Sequence, residues 1–241
     1  SARTAALRLM RNIVFTACIG PPVRANHLAA FQEANHGPAQ SESAIVFIMA
    51  NPPSILAFAG STREGSFNKK LIRVAARLAE AAGAKVTLLD LRDLALPLYD
   101  GDLEQQSGLP DGALRLKKLM KEHDAFLIAS AEYNSSVSAV LKNAIDWASR
   151  PQGDDRPLQA FAGKVAGLMA ASTGALGGLR GLVHLRAILG NINVLVVPEQ
   201  FALAKANEAF NEDGSLKDDA PKQAVEKIVR RVVDLAARLK S

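Results

Sequence analysis

Beyond residue 53 the chain alternates short apolar runs with stretches whose apolar residues recur every three or four positions. Ile55-Leu56-Ala57-Phe58-Ala59 is a continuous apolar run halted by Gly60, the pattern of a strand buried on both faces. Leu71, Ile72, Ala75, Leu78, Ala79 and Ala82 then recur at helical spacing as far as Gly83. The same alternation predicts further strands over 85–91, 125–130, 165–171 and 192–197. It predicts further helices over 113–121, 137–149, 179–189 and 217–239, the last with Val225, Ile228, Val229, Val232 and Leu235 on one face. Five strands with intervening helices predict an α/β fold, a doubly wound five-stranded parallel sheet with helices on both faces. Such a sheet takes ligands at the carboxyl ends of its strands, near the reversal in strand order. The loops after the first, third and fourth strands are therefore where chemistry is expected. No segment repeats at a period of 20–50 residues.

Residues 1–53 read differently. Pro21-Pro22, Pro38 and Pro52-Pro53 interrupt them and no period is sustained. The run from Ile13 to Gly20, behind Arg8 and Arg11, faintly resembles a signal peptide but is short for one, and an Arg-bearing, acid-poor start also suits an organelle transit peptide. The plainer reading is a loose extension. Met49 lies just ahead of the first strand, so the functional domain is expected to begin near it, with 54–241 forming one compact unit.

Composition narrows the class. Of 241 residues, 49% are apolar and 22% charged, which suits a soluble globular core and a cytoplasmic setting, and no apolar run is long enough to span a bilayer. The net charge of +5 divides into +2 over residues 1–53 (Arg3, Arg8, Arg11 and Arg24 against Glu33 and Glu42) and +3 beyond, with no basic block. That favours a small anionic ligand over nucleic acid, which a clustered basic stripe would mark. Cys18 is the single cysteine, so no intramolecular disulfide forms, and four dispersed histidines offer no zinc spacing.

The loop after the first strand, Gly60-Ser61-Thr62-Arg63-Glu64-Gly65-Ser66-Phe67-Asn68, opens directly into a helix. A helix start presents unpaired amides and partial positive charge, a cradle for phosphate. Ser61, Ser66, Asn68 and the forked guanidinium of Arg63 would add donors. It is neither a Walker A loop, lacking the Lys and Ser/Thr, nor a dinucleotide fingerprint, lacking the third glycine. The competing reading is that Ser66 merely caps the helix. After the third strand come Glu132-Tyr133-Asn134-Ser135-Ser136, where Tyr133 suits a planar ring and Asn134 its polar edge, or where a plain Asn turn carries a surface tyrosine. After the fourth, Ser172-Thr173-Gly174-Ala175-Leu176-Gly177-Gly178 has glycines that permit positive φ and close approach to a flat ligand, or that simply make a flexible loop. Three such loops at carboxyl strand ends together point to a site. Asp146 and Arg150, spaced i, i+4, are expected to pair; Trp147 is expected in the core or at a subunit interface; His123 and His184 are assigned no catalytic role.

Together these residues resemble the NAD(P)H-dependent FMN reductase family, flavodoxin-like proteins that include quinone, chromate and azo-dye reductases. The 60–68 loop looks like the family's phosphate loop, Pro97-Leu98-Tyr99-Asp100 like its loop after strand two, and Glu132-Tyr133-Asn134 with Leu141-Lys142-Asn143-Ala144-Ile145-Asp146-Trp147 is its most specific run. The resemblance covers about 54–241. It implies FMN, with its phosphate on Ser61, Arg63, Ser66, Phe67 and Asn68 and its ring against Tyr99, Glu132, Tyr133, Asn134, Ser135 and the loop bearing Ser172, Gly174, Gly177 and Gly178. It further implies NADPH or NADH as donor, a quinone-like acceptor, and a homodimer or homotetramer. Ala131 stands where the family usually has proline, and Ser135-Ser136 bring no aromatic wall to the acceptor pocket. A flavodoxin-type electron carrier and a non-enzymatic binding protein are the rival classes; the basic charge speaks against the first and the phosphate loop against the second.

Overall fold

The structure is a computed structural model, and it describes residues 52–240. The extension expected over residues 1–53 lies almost wholly outside the described residues. The five-stranded parallel sheet is present, in the order β2-β1-β3-β6-β7. Its strands are β1 (Ser54–Ala59), β2 (Lys85–Leu89), β3 (Ala125–Ala129), β6 (Val165–Ala171) and β7 (Leu195–Leu203). A small antiparallel pair, β4 (Glu132–Tyr133) and β5 (Ser136–Val137), stands apart from it. Among the described residues the six α-helices are α1 (Phe67–Ala81), α2 (Gly101–Ser107), α3 (Asp111–Glu122), α4 (Ala139–Ser149), α5 (Leu179–Asn191) and α6 (Asp219–Leu239). This is the expected flavodoxin-like, doubly wound arrangement.

Strand alternation divides the core in two. Ile55, Ala57, Leu127 and Met169 face α1 and α6, meeting Leu71, Ala75, Val225, Val229 and Val232. Leu56, Phe58, Phe126 and Leu168 face α3, α4 and α5, meeting Leu116, Leu141, Ile145, Leu182 and Leu185. Every residue of β3 and β6 is buried, as expected of central parallel strands. The chain proceeds from β1 outward to β2, then returns across β1 to β3, so the order reverses between β1 and β3.

Several boundaries differ from expectation, each for a local reason. The second strand stops at Leu89 because Asp90 accepts the Arg92 amide and starts a 3-10 turn over Leu91–Leu94. The last strand runs past Pro198 to Leu203; the register jumps from Ala166↔Val196 to Leu168↔Gln200, and that bulge absorbs the proline on an edge strand. Val137 belongs to the small hairpin and not to α4. Helix α2 was not anticipated; Asp100 starts it by accepting from the amides of Asp102 and Leu103. No helix among the described residues is long and apolar enough to cross a membrane.

Candidate functional site

The three loops singled out leave the sheet side by side. Backbone bonds carry the ladder one residue past the strands, from Gly60 N–H to Ala129 O (2.9 Å), Ser130 N–H to Met169 O (2.8 Å) and Ser172 N–H to Leu203 O (3.0 Å). Gly60 sits tightly here: a Cβ would lie 3.0 Å from the Leu141 side chain, which would have to give way. Ser138 donates its hydroxyl to Gly60 O (2.7 Å) while capping α4 through the Leu141 amide (3.2 Å), so one side chain ties the first loop to the helix after β3.

In the first loop Ser61 and Ser66 are 5% and 2% exposed, yet neither hydroxyl hydrogen-bonds within the described residues. Ser66 is the N-cap residue of α1 by backbone position, but its side chain makes no capping bond and no acidic residue sits in the first turn. The capping alternative for Ser66 therefore fails, and the positive end of a 15-residue helix is left open beside the unpartnered hydroxyls of two largely buried serines. Arg63 is exposed, with its guanidinium 5.8 Å from the Phe67 ring centre.

Asn68 is otherwise engaged. Its Oδ1 accepts from Ala171 N–H and its Nδ2 donates to Ala171 O, both at 2.9 Å. Ala171 turns these groups toward the side where β3 has already ended, so the Asn68 amide takes the place of a missing strand residue. Lys69 was not anticipated. It is 6% exposed, pairs with Asp90 (2.6 Å) and donates to Thr62 O (3.3 Å), clamping the first loop to the end of β2. Burial would push the Asp90 carboxyl up, but the Lys69 hydrogen bond, the Arg92 amide and both cations outweigh it and hold it below the ordinary aspartate range.

The Pro97–Asp100 loop is pinned to α4. Asn143 receives Tyr99 N–H (2.8 Å) and donates to Pro97 O (2.8 Å), and Trp147 Nε1 donates to the same carbonyl (2.9 Å). Trp147 is fully buried and meets the Tyr99 ring edge-on at 5.0 Å, a core role with a second task. Tyr99 donates its hydroxyl to Glu104 (2.9 Å), which raises its pKa with help from burial. Burial acts upward on Glu104 too, but hydrogen bonds from Arg150 (2.8 and 3.0 Å) and Tyr99 prevail and lower it. The expected Asp146–Arg150 pair is corrected: Arg150 leaves the helix with extended backbone and reaches Glu104, and Asp146 pairs with Lys142 at 2.7 Å.

After β3, Asn134 and Ser135 form the turn of the β4–β5 hairpin with φ of 51° and 64°, a type I′ turn that asparagine tolerates. Tyr133 stands 58% exposed beside it. The Glu132 carboxylate accepts from Gly181 N–H (2.8 Å) and meets Arg180 (3.4 Å), capping α5, whose own N-cap Gly178 has no side chain to offer. In the third loop Ser172 Oγ accepts from Gly174 N–H (3.2 Å). Gly177 and Gly178 have φ of 62° and 94°, and a Cβ on either would meet β7 backbone or Ala170 at 2.7 Å. Their first service is thus to let the loop close on the sheet. Gly174 shows no positive φ, and a Cβ there meets nothing nearer than 3.7 Å. Of the histidines, His123 is buried between Leu119 O and the Thr87 hydroxyl, and His184 touches Ser136 Oγ (2.9 Å). An open groove runs between the hairpin, α4 and α5, lined by Tyr133, Asn134, Ser136, Lys142, His184 and Ile188.

A family model described as NADPH-dependent FMN reductase matches residues 53–208. The chain is 37% identical to an NAD(P)H-dependent FMN reductase of Pseudomonas aeruginosa, over 74% of this chain and 92% of that protein. It is 34% identical to a quinone reductase of Escherichia coli K12, over 70% and 88% of the two. Among solved structures it is similar to the flavoenzyme NAD(P)H:(acceptor) oxidoreductase FerB of Paracoccus denitrificans, with a TM-score of 0.66 and 31% identity over 77% of this chain and 98% of the other.

Proposed function

Because the chain belongs to the NADPH-dependent FMN reductase family, with relatives at about a third identity that are FMN and quinone reductases, we propose how its own residues carry out that work. The protein is an NAD(P)H-dependent FMN and quinone reductase. The observation that supports this placement of the cofactor is the uncapped start of α1 beside two largely buried serines whose hydroxyls have no partner among the described residues. That donor set fits a phosphate ester, with no acidic residue in the first turn of α1 to repel it and with Glu64 paired to Arg92.

The FMN phosphate is assigned to Ser61, Ser66 and the first-turn amides of α1, including those of Phe67 and Asn68, with Arg63 as counter-charge. The flavin ring is assigned to the space between the Tyr99 loop, the Tyr133–Ser135 turn and the 172–178 loop. Bound FMN supplies two-electron chemistry, taking hydride from NAD(P)H and reducing a quinone. The protein's part is to hold, orient and admit. Asn68 and Lys69 fix the phosphate loop to β6 and β2; Asn143 and Trp147 fix the Tyr99 loop; the hairpin turn is set before any ligand arrives. The open groove beside Tyr133 lets donor and acceptor exchange in turn. Protons for the reduced acceptor come from solvent in that groove, and no side chain is assigned as acid or base.

Homodimer or homotetramer formation is part of the same reading. Tyr133, Leu176, Leu179 and Val183 are large apolar residues left 58%, 49%, 41% and 58% exposed around the start of α5, a face suited to a second copy. A cytoplasmic setting belongs to the same reading, the single cysteine being compatible with a reducing compartment. The test is an absorbance titration with FMN, followed by anaerobic NADPH and then benzoquinone. A bound-flavin spectrum that bleaches and recovers is expected; bound flavin that stays oxidised would indicate a carrier needing a separate reductase.

A further inference from the structure

We infer that Phe210 is a positioning residue for the phosphate end of the site, acting through Phe67 on Arg63. The inference rests on the FMN reading above. Phe210 follows β7 and lies beyond the stretch matched by the family model. Its ring stacks on Phe67, the first residue of α1, with centres 6.3 Å apart and planes 8° from parallel. Arg63 lies against the Phe67 ring at 5.8 Å, and Lys70 against both rings at 5.9 and 5.7 Å. The Arg63 guanidinium forms no hydrogen bond or ion pair among the described residues, so this aromatic face is what gives it a direction.

Phe210 is itself held rigidly. It bridges Leu216, which is buried in the core, and Lys217 N–H bonds Ala209 O at 3.0 Å. The turn between them closes through Asn211 N–H to Ser215 O (2.9 Å) and through Asp213, which accepts from the Ser215 amide (2.8 Å) and hydroxyl (2.7 Å). Its base is tied to the third loop by Ala206 N–H to Ser172 O (3.0 Å). A segment distant in sequence thus backs the phosphate loop with a flat wall. A flexible guanidinium pays rotamer freedom when it meets an anion, and a side chain already laid on an aromatic face has less to lose. Phe210 therefore favours phosphate-bearing flavin specifically, without touching it.

The test compares FMN with riboflavin, which lacks the phosphate, by flavin-fluorescence titration of the full chain. Phe210→Ala should weaken FMN about three- to tenfold and riboflavin by less than about twofold. Phe210→Tyr, which keeps the stacked ring, should retain FMN affinity and covers the case in which the alanine variant folds poorly. In an Arg63→Gln background Phe210→Ala should add nothing further. Equal losses for both flavins, additive losses in the double variant, or an unchanged FMN affinity in Phe210→Ala would each overturn the inference while leaving the FMN reading intact. Failure of the unsubstituted protein to bind FMN would remove both.

Discussion

Replacing Asn68 by alanine tests whether its amide stands in for a strand residue or merely faces a ligand. The substitution removes two bonds of 2.9 Å to Ala171 and leaves that residue's N–H and C=O buried and unpaired. Each such group costs about 1–3 kcal/mol when unmatched, and with one of the two rescued by water the net loss is about 1–3 kcal/mol. For a domain of this size that lowers Tm by roughly 2–12 °C. Asn68→Asp separates the two bonds, since a carboxylate still accepts from Ala171 N–H but repels Ala171 O. It should cost at least as much as alanine at neutral pH and recover part of the loss in acid, where a protonated carboxyl again donates. The assay is urea unfolding followed by circular dichroism in the absence of flavin, because a ligand bound only to the folded state would add its own stabilisation. An alanine variant within about 0.5 kcal/mol of the parent would refute the argument.

The remaining expectations are narrower. Gly178→Ala puts a methyl 2.7 Å from the Ala170 Cβ at φ +94° and should destabilise by about 1–3 kcal/mol, whereas Gly174→Ala, with open space, should be near neutral; paired thermal melts decide. Glu104 has its pKa depressed by Arg150 and Tyr99, so its contribution is present above the ordinary glutamate range and is lost as pH falls through the depressed value; Glu104→Gln should flatten the acid limb of stability between about pH 5 and 3, and an unchanged slope would exclude the pair as its cause. Lys69→Met strands the Asp90 carboxylate and frees Thr62 O, and should weaken FMN binding about tenfold without abolishing the fold, as read by fluorescence titration and circular dichroism. Deleting residues 1–48 should leave FMN affinity unchanged, and a soluble truncated protein without flavin would contradict a domain beginning near Met49.

The fold was legible because its signal is periodic. The buried run 165–171 could be read to the residue, since neither face of β6 meets water. The signal failed where a single side chain overrides the period: Asp90 ends β2, Asp100 begins α2, and Pro198 ends the apolar run that a bulge then carries onward. The three loops of the site were legible as positions, but the work of their side chains was not. Asn68, Glu132, Gly177 and Gly178 share composition with ligand-binding loops, yet they bond to or pack against the protein itself. Lys69 escaped notice, and Asn143 was quoted in the family run without a role, because their partners, Asp90 and Pro97, are far away in sequence and no local pattern records such a distance.

The bulge at Pro198 has a consequence for how the molecule behaves in a crowded solution. β7 is an outer strand, and an outer strand ordinarily offers a row of free amides and carbonyls on which another chain can grow. Here position 198 has no amide to offer, and Arg186 of α5 reaches across to the carbonyls of Val196 and Pro198 and to the Gln200 side chain. A would-be sixth strand meets a guanidinium instead of a template. Growth of the sheet is thereby disfavoured along the Val196–Gln200 stretch of this edge, where a new strand would have to displace the guanidinium and do without an amide at position 198.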